Sequence, residues 1–77
     1  MIPTVYSKPA CIQCTATLRY LDNRGVEYNY IDLTEDEEAR AHVEGLGYRQ
    51  APVVEWFEEH WSGYRPDLID AVIGRGM

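Results

Sequence analysis

A chain of 77 residues lies near the lower limit at which one apolar core holds a domain together, so a single domain spanning residues 1–77 is expected. With 45% hydrophobic and 26% charged residues it has the balance of a folded globule, and no apolar run approaches the roughly 20 residues that a membrane-crossing helix needs. Thirteen acids against seven bases, a formal charge of −6, argue against a nucleic-acid partner, whose phosphates need a basic footprint.

Ile2 to Ser7 is rich in β-branched and aromatic residues and reads as a strand ending at Lys8-Pro9. From about Cys11 to Arg24 the period becomes helical, with Cys14, Leu18 and Leu21 on one face and Gly25 as the stop. Val26 to Asp32 alternates as a second strand, and the helix between the two strands makes them parallel through a right-handed crossover. Thr34 opens a second helix, with Glu37 three residues on completing a capping box. Ala39, Val43 and Leu46 form its buried stripe, and Gly47 ends it. Ala51 to Glu55 is a short strand that starts at a proline, and a turn at Phe57-Glu58 leads into His60-Trp61-Ser62 as an antiparallel partner. That turn lacks the Gly, Asn or Asp that a tight hairpin favours. Gly63 bends the chain, and Pro66 suits the first position of a last helix that points Leu68, Ile69, Val72 and Ile73 inward and stops at Gly74. The order β-α-β-α-β-β-α predicts an α/β domain with a mixed four-stranded sheet, order 2-1-3-4, and helices on both faces. This is the thioredoxin-like fold in its minimal form.

Cys11 and Cys14 are the only cysteines, three positions apart, where the chain leaves the first strand and enters a helix. At that spacing they can close a small redox disulfide, Cys11–Cys14. Cys11 meets the free N–H groups and positive dipole end of the helix, which favour a thiolate, whereas Cys14 lies one turn further in and is more covered. Cys11 is therefore the expected nucleophile and Cys14 the thiol that resolves the mixed disulfide. Lys8, the only lysine, can support the thiolate with its charge, and an exposed loop lysine fits its position equally. A zinc site is not expected, because only His42 and His60 remain as ligands and they lie 18 residues apart. Two cysteines in a chain whose Met1 leads straight into a strand point to a working dithiol in a reducing, cytoplasmic setting.

Pro52, at the start of the third strand, is expected to follow a cis bond from Ala51 and to turn the backbone beside Cys11 outward for an extended partner segment. A trans proline beginning an edge strand is the other reading. The acids Glu35 to Glu38, with Glu55, Glu58 and Glu59, read either as a solvated helix start and hairpin or as a field that steers a basic partner surface. Trp56-Phe57 at the hairpin tip would either meet a partner or fold back on the sheet.

Three segments together, Lys8-Pro9-Ala10-Cys11-Ile12-Gln13-Cys14, Ala51-Pro52-Val53-Val54 and Trp61-Ser62-Gly63-Tyr64-Arg65-Pro66-Asp67, resemble the NrdH-type redoxins, glutaredoxin-sized proteins with thioredoxin-like behaviour. The resemblance covers essentially the whole chain, and its most specific part is the Trp-Ser-Gly-aromatic-Arg-Pro run. It implies an electron carrier, with no bound cofactor, that serves class Ib ribonucleotide reductase and is re-reduced by NADPH through thioredoxin reductase. It also implies Cys11 as nucleophile, Cys14 as resolving thiol, Pro52 as a cis-proline, and Trp61 to Asp67 as a hydrogen-bonded segment shaping the surface beside the dithiol. A monomer free of nucleic acid and membrane is expected. Within that segment Arg65 is expected to pair inside the protein, and Trp61 and Tyr64 to form an apolar rim near Cys11. The alternative is a glutathione-dependent dithiol glutaredoxin, in which a Gly-Gly turn and an acid at a helix start hold the α-amino end of glutathione. Here Tyr64-Arg65-Pro66 adds bulk, and Pro66 lacks an N–H. A reading of another class is a binding domain that uses the dithiol as a sensor, which would not turn over in a disulfide-reduction assay.

Overall fold

In the computed structural model, which describes residues 2–75, alternating hydrophobicity becomes a sheet with two covered faces. The elements are β1 (Thr4–Ser7), α1 (Ile12–Asn23), β2 (Asn29–Asp32), α2 (Glu37–Gly45), β3 (Val53–Trp56), β4 (Glu59–Ser62) and α3 (Pro66–Gly74). The sheet order is β2-β1-β3-β4. β1 and β2 run parallel in the register Thr4↔Asn29 to Ser7↔Asp32, and β3 pairs antiparallel with both β1 and β4. This is the expected thioredoxin-like α/β fold.

Because side chains alternate across a strand, Val5, Val54 and Trp61 point to one face and Tyr6 and Val53 to the other. The first set packs with Leu21 of α1 and Ile69 and Val72 of α3, and the second with Ala39 and Val43 of α2. Val5, Leu21, Val54 and Ile69 are fully buried. Both α1 and α2 end on a glycine with positive φ, Gly25 at 70° and Gly47 at 96°. At each end the next residue folds back to bond the last buried apolar turn, Val26 N–H to Leu21 O at 3.0 Å and Tyr48 N–H to Val43 O at 3.1 Å. These closures aim the chain into β2 and toward β3.

Three expectations are corrected by the structure. Thr34 does not cap α2: the Asp32 carboxylate accepts both its N–H, at 2.8 Å, and its hydroxyl, at 2.6 Å, so Thr34 is held in a turn. Asp36 is the cap instead, its Oδ1 accepting the Ala39 N–H at 2.9 Å. The second strand is shorter than Val26 to Asp32, since ladder pairing starts at Asn29. Leu46 is a half-buried helix cap rather than part of the buried stripe.

The hairpin tip separates its two aromatics. Trp56 lies two residues beyond Val54 and so shares its inward face, where it is 1% exposed. Phe57 takes the first position of the two-residue turn with a φ of 57° and is half exposed. The ring planes stack, 6.4 Å between centroids and 11° apart.

Asp36→Ala removes the cap of α2 and is expected to cost about 1 kcal/mol in urea unfolding, whereas Thr34→Ala stays within about 0.5 kcal/mol. Equal losses, or a larger one at Thr34, would restore Thr34 as the cap.

Candidate active site

The parallel strand pair dictates where the dithiol lies. β1 ends at Ser7, and Lys8-Pro9-Ala10 carries the chain round to α1, with Ala10 in the left-handed region at a φ of 56°. Cys11 is the N-cap of α1, extended at φ −113° and ψ 112°, and its Sγ accepts the Cys14 N–H at 3.2 Å. The sulfur thus occupies the position at which a helix presents its unsatisfied N–H groups. The Cys11 carbonyl accepts both the Thr15 N–H, at 3.1 Å, and the Thr15 hydroxyl, at 3.2 Å, which fixes the first turn. The Cys11 thiol faces the carbonyl of Ala51 at 3.8 Å, and the Ala51–Pro52 peptide bond is cis.

The two thiols are free and differ in environment. Cys11 is half-buried at the surface, whereas Cys14 is 2% exposed on the inner face of α1. Burial pushes the Cys14 thiol above its ordinary value, and the neighbouring Cys11 adds to the rise. Hydrogen bonds from the Ser7 side chain and the Lys8 backbone partly oppose it. Lys8 thus reaches the dithiol through its backbone, toward Cys14, while its side chain is solvent-exposed.

Ser7 carries a signal in the sequence itself. By strand alternation it shares the inward face of Val5, and a polar side chain 1% exposed at a core position needs a partner. Gln13, between the cysteines, carries no such signal. Its Oε1 accepts the Tyr64 N–H at 3.1 Å, joining the first turn of α1 to the Trp61–Asp67 segment 51 residues away.

That segment is tied down along its length. The Ser62 hydroxyl donates to the Gln50 carbonyl at 3.2 Å, and the Gly63 N–H donates to the Pro52 carbonyl at 2.8 Å. Gly63 has a φ of 89°, and a Cβ there would stand 3.3 Å from Gln13 Oε1, so this position favours glycine twice over. Arg65 forms a fork with Asp67, Nε to Oδ1 at 3.1 Å and Nη2 to Oδ2 at 3.0 Å, and holds that carboxyl below its ordinary value. Pro66 stands at N1 of α3.

The expected apolar rim is half right. Tyr64 is 36% exposed, edge-on to Tyr20 with centroids 6.1 Å apart. Trp61 is 5% exposed, because its register opposite Val54 points it into the core. It supports the segment from beneath. The two histidines lie elsewhere: His42 Nε2 shares a hydrogen bond with Glu55 at 2.9 Å, and His60 Nδ1 one with Tyr48 at 2.7 Å. Among the described residues, no three His, Cys, Asp or Glu side chains converge as metal ligands.

The raised Cys14 thiol stays protonated through neutral pH, so in a Cys11→Ala background its alkylation rate is expected to keep climbing past pH 9.0, the ordinary thiol value. Ser7→Ala removes one stabilising donor and is expected to slow that alkylation about fivefold at a fixed pH near 8, the equivalent of about 1 kcal/mol. An unchanged or faster rate would show that Ser7 does not act on Cys14.

Comparison with known proteins agrees with this geometry. Residues 4–61 match the glutaredoxin family. The glutaredoxin-like protein NrdH of Escherichia coli is 40% identical over 67 residues, 87% of this chain and 83% of that protein. The gene 56 protein of Mycobacterium phage D29 is 36% identical over 74 residues, 91% of this chain and 80% of its own. The structure of the E. coli NrdH-redoxin superposes with a TM-score of 0.90 at 39% identity, covering 94% of this chain and 95% of that one. A glutaredoxin from Archaeoglobus fulgidus follows at 0.76 and 26% identity, covering 92% and 84%. With a dithiol at the start of a helix, beside a cis-proline and a tied-down Trp-Ser-Gly-Tyr-Arg-Pro-Asp segment, the chain belongs to the glutaredoxin family and, within it, to the NrdH-type redoxins.

Proposed function

We propose that this thiol-redox protein is a monomeric, cytoplasmic electron carrier that reduces class Ib ribonucleotide reductase and is re-reduced by NADPH through thioredoxin reductase. The observation that carries this reading is that the groups a glutaredoxin would turn toward glutathione are spent within the protein. Gln13 takes the Tyr64 N–H, the Pro52 carbonyl takes the Gly63 N–H, and Arg65 takes the Asp67 carboxylate. Pro66 has no N–H to offer. A tripeptide that relies on hydrogen bonds would have to break these pairs before making its own. A protein surface needs a reachable sulfur and a docking edge. In keeping with this, the E. coli NrdH-redoxin is a protein with a thioredoxin-like activity profile.

The reaction divides between the two thiols by exposure. The Cys11 thiolate attacks one sulfur of the partner disulfide, forming the mixed disulfide and expelling the other partner sulfur as a thiolate, which takes up a proton. Cys14 then loses its proton, and its sulfur attacks Cys11 Sγ. The bond to the partner breaks, the second partner thiolate is protonated, and the Cys11–Cys14 disulfide remains. Two electrons and two protons have passed to the partner. The reductase, drawing on NADPH, returns two electrons to Cys11 and Cys14. Burial of Cys14 keeps it protonated until the mixed disulfide forms, so attack begins at the exposed sulfur. The backbone of Ala51, beside Cys11 and just ahead of Pro52, is where an extended partner segment would pair.

Oxidised protein should be reduced efficiently by NADPH with thioredoxin reductase and at least about tenfold more slowly by glutathione with glutathione reductase. Cys14→Ser should accumulate a mixed disulfide through Cys11 with the ribonucleotide reductase. Faster reduction by glutathione would favour the glutathione-dependent glutaredoxin instead.

A further inference from the structure

The charges of this acidic chain are sorted around the dithiol. Among the described residues, three of the seven cations are held in ion pairs with carboxylates: Arg24 with Asp70, Arg65 with Asp67 and Arg75 with Glu59. The other four, Lys8, Arg19, Arg40 and Arg49, lie along two open grooves. Lys8, Arg40 and Arg49 line a groove of about 300 Å³ that ends at Ala51, whose carbonyl receives the Cys11 thiol. Arg19 lines a second groove, of about 400 Å³, which includes Cys11 itself and Ile12. Of the 13 acids, Glu44 alone borders either groove, and Arg40 also neighbours Glu37 along α2.

Unpaired cations on a chain of formal charge −6 would be drawn to its own carboxylates unless the fold held them apart. Here Arg19 shares a groove with Cys11 itself, and Lys8, Arg40 and Arg49 share one with Ala51, so both grooves carry an excess of positive charge. The walls are not purely ionic. Val43 and Tyr48 line the first groove, and Ile12, 88% exposed, borders the second. A site that joins apolar walls to separated cations suits a polypeptide carrying carboxylates better than a bare inorganic anion. One groove includes Cys11 and the other Ala51, whose carbonyl lies 3.8 Å from the sulfur, so a segment crossing the sulfur would reach both.

We propose that Cys11 lies between two cationic grooves that hold the acidic flanks of the partner polypeptide whose disulfide it attacks. This rests on the reading that the partner is a protein, and it names the chemistry of that partner's segment. It also reverses the sign of the steering suggested by the acidic run Glu35 to Glu38. The field at the dithiol draws an acidic partner.

The test uses pre-reduced full-length protein in single turnover, without any reductase, against three disulfide-bridged peptides. They differ only in whether Asp/Glu, Asn/Gln or Lys flank the cysteines. The acidic peptide is expected to react about tenfold faster than the neutral one at low salt, with the ratio falling toward one at about 0.5 M salt. In Arg40→Gln/Arg49→Gln, and more weakly in Arg19→Gln, that ratio is expected to collapse toward one, while Arg75→Gln keeps it. Because each ratio is taken within one folded variant, the neutral peptide reports folding and reactivity separately. Equal rates for the three peptides, a faster basic peptide, or a preference that survives the double substitution would overturn the proposal. Failure to reduce even the neutral peptide would instead overturn the reading of the protein as a disulfide reductant.

Discussion

A sulfur used as a helix cap organises this molecule. Cys11 Sγ takes the Cys14 N–H at 3.2 Å, in the place where most helices put a hydroxyl or carboxylate oxygen. The choice ties local structure to chemistry. The atom that completes the first turn of α1 is also the one that must become an anion, and the helix end offers it N–H groups and dipole field in that state. The parallel β1–β2 pairing demands the crossover helix, and the helix must begin where β1 ends. The site therefore follows from the topology.

A second constraint acts from the other side. The chain returns through β3 and β4 so that Ala51 and Pro52 lie beside Cys11, and Gly63 bonds back to Pro52. Gln13 then bridges α1 to Tyr64. The dithiol turn, the proline strand and the start of α3 form one hydrogen-bonded ring, with Trp61 buried beneath it. Such a ring leaves few polar groups free for a small ligand, and it holds a surface shape that a protein partner can meet.

Much of this was legible because local and global signals agree. Strand and helix periods, the glycines at the ends of α1 and α2, and the proline at the start of α3 each have a single cheap structural solution, and the sheet order follows from the connections. What escaped depended on partners distant in sequence or on competition between near neighbours. Thr34 and Asp36 are both good caps, and only the capture of Thr34 by Asp32 decides between them. Whether Trp56 and Trp61 are exposed turns on strand register, which a hairpin without a glycine or asparagine turn does not announce. Gln13 reaches across 51 residues to a backbone N–H, a contact that no spacing rule predicts. Ser7 is different: its inward position was readable, and only its effect on the Cys14 thiol of the facing helix was not.

The chemistry depends on the inequality of the two thiols, one at the mouth of the helix and one beneath it. Reduced protein treated with substoichiometric iodoacetamide at neutral pH and mapped by mass spectrometry tests this directly. The label should fall on Cys11, with Cys14 modified only after unfolding or at markedly higher pH. Preferential labelling of Cys14, or equal labelling of both in the folded protein, would contradict it.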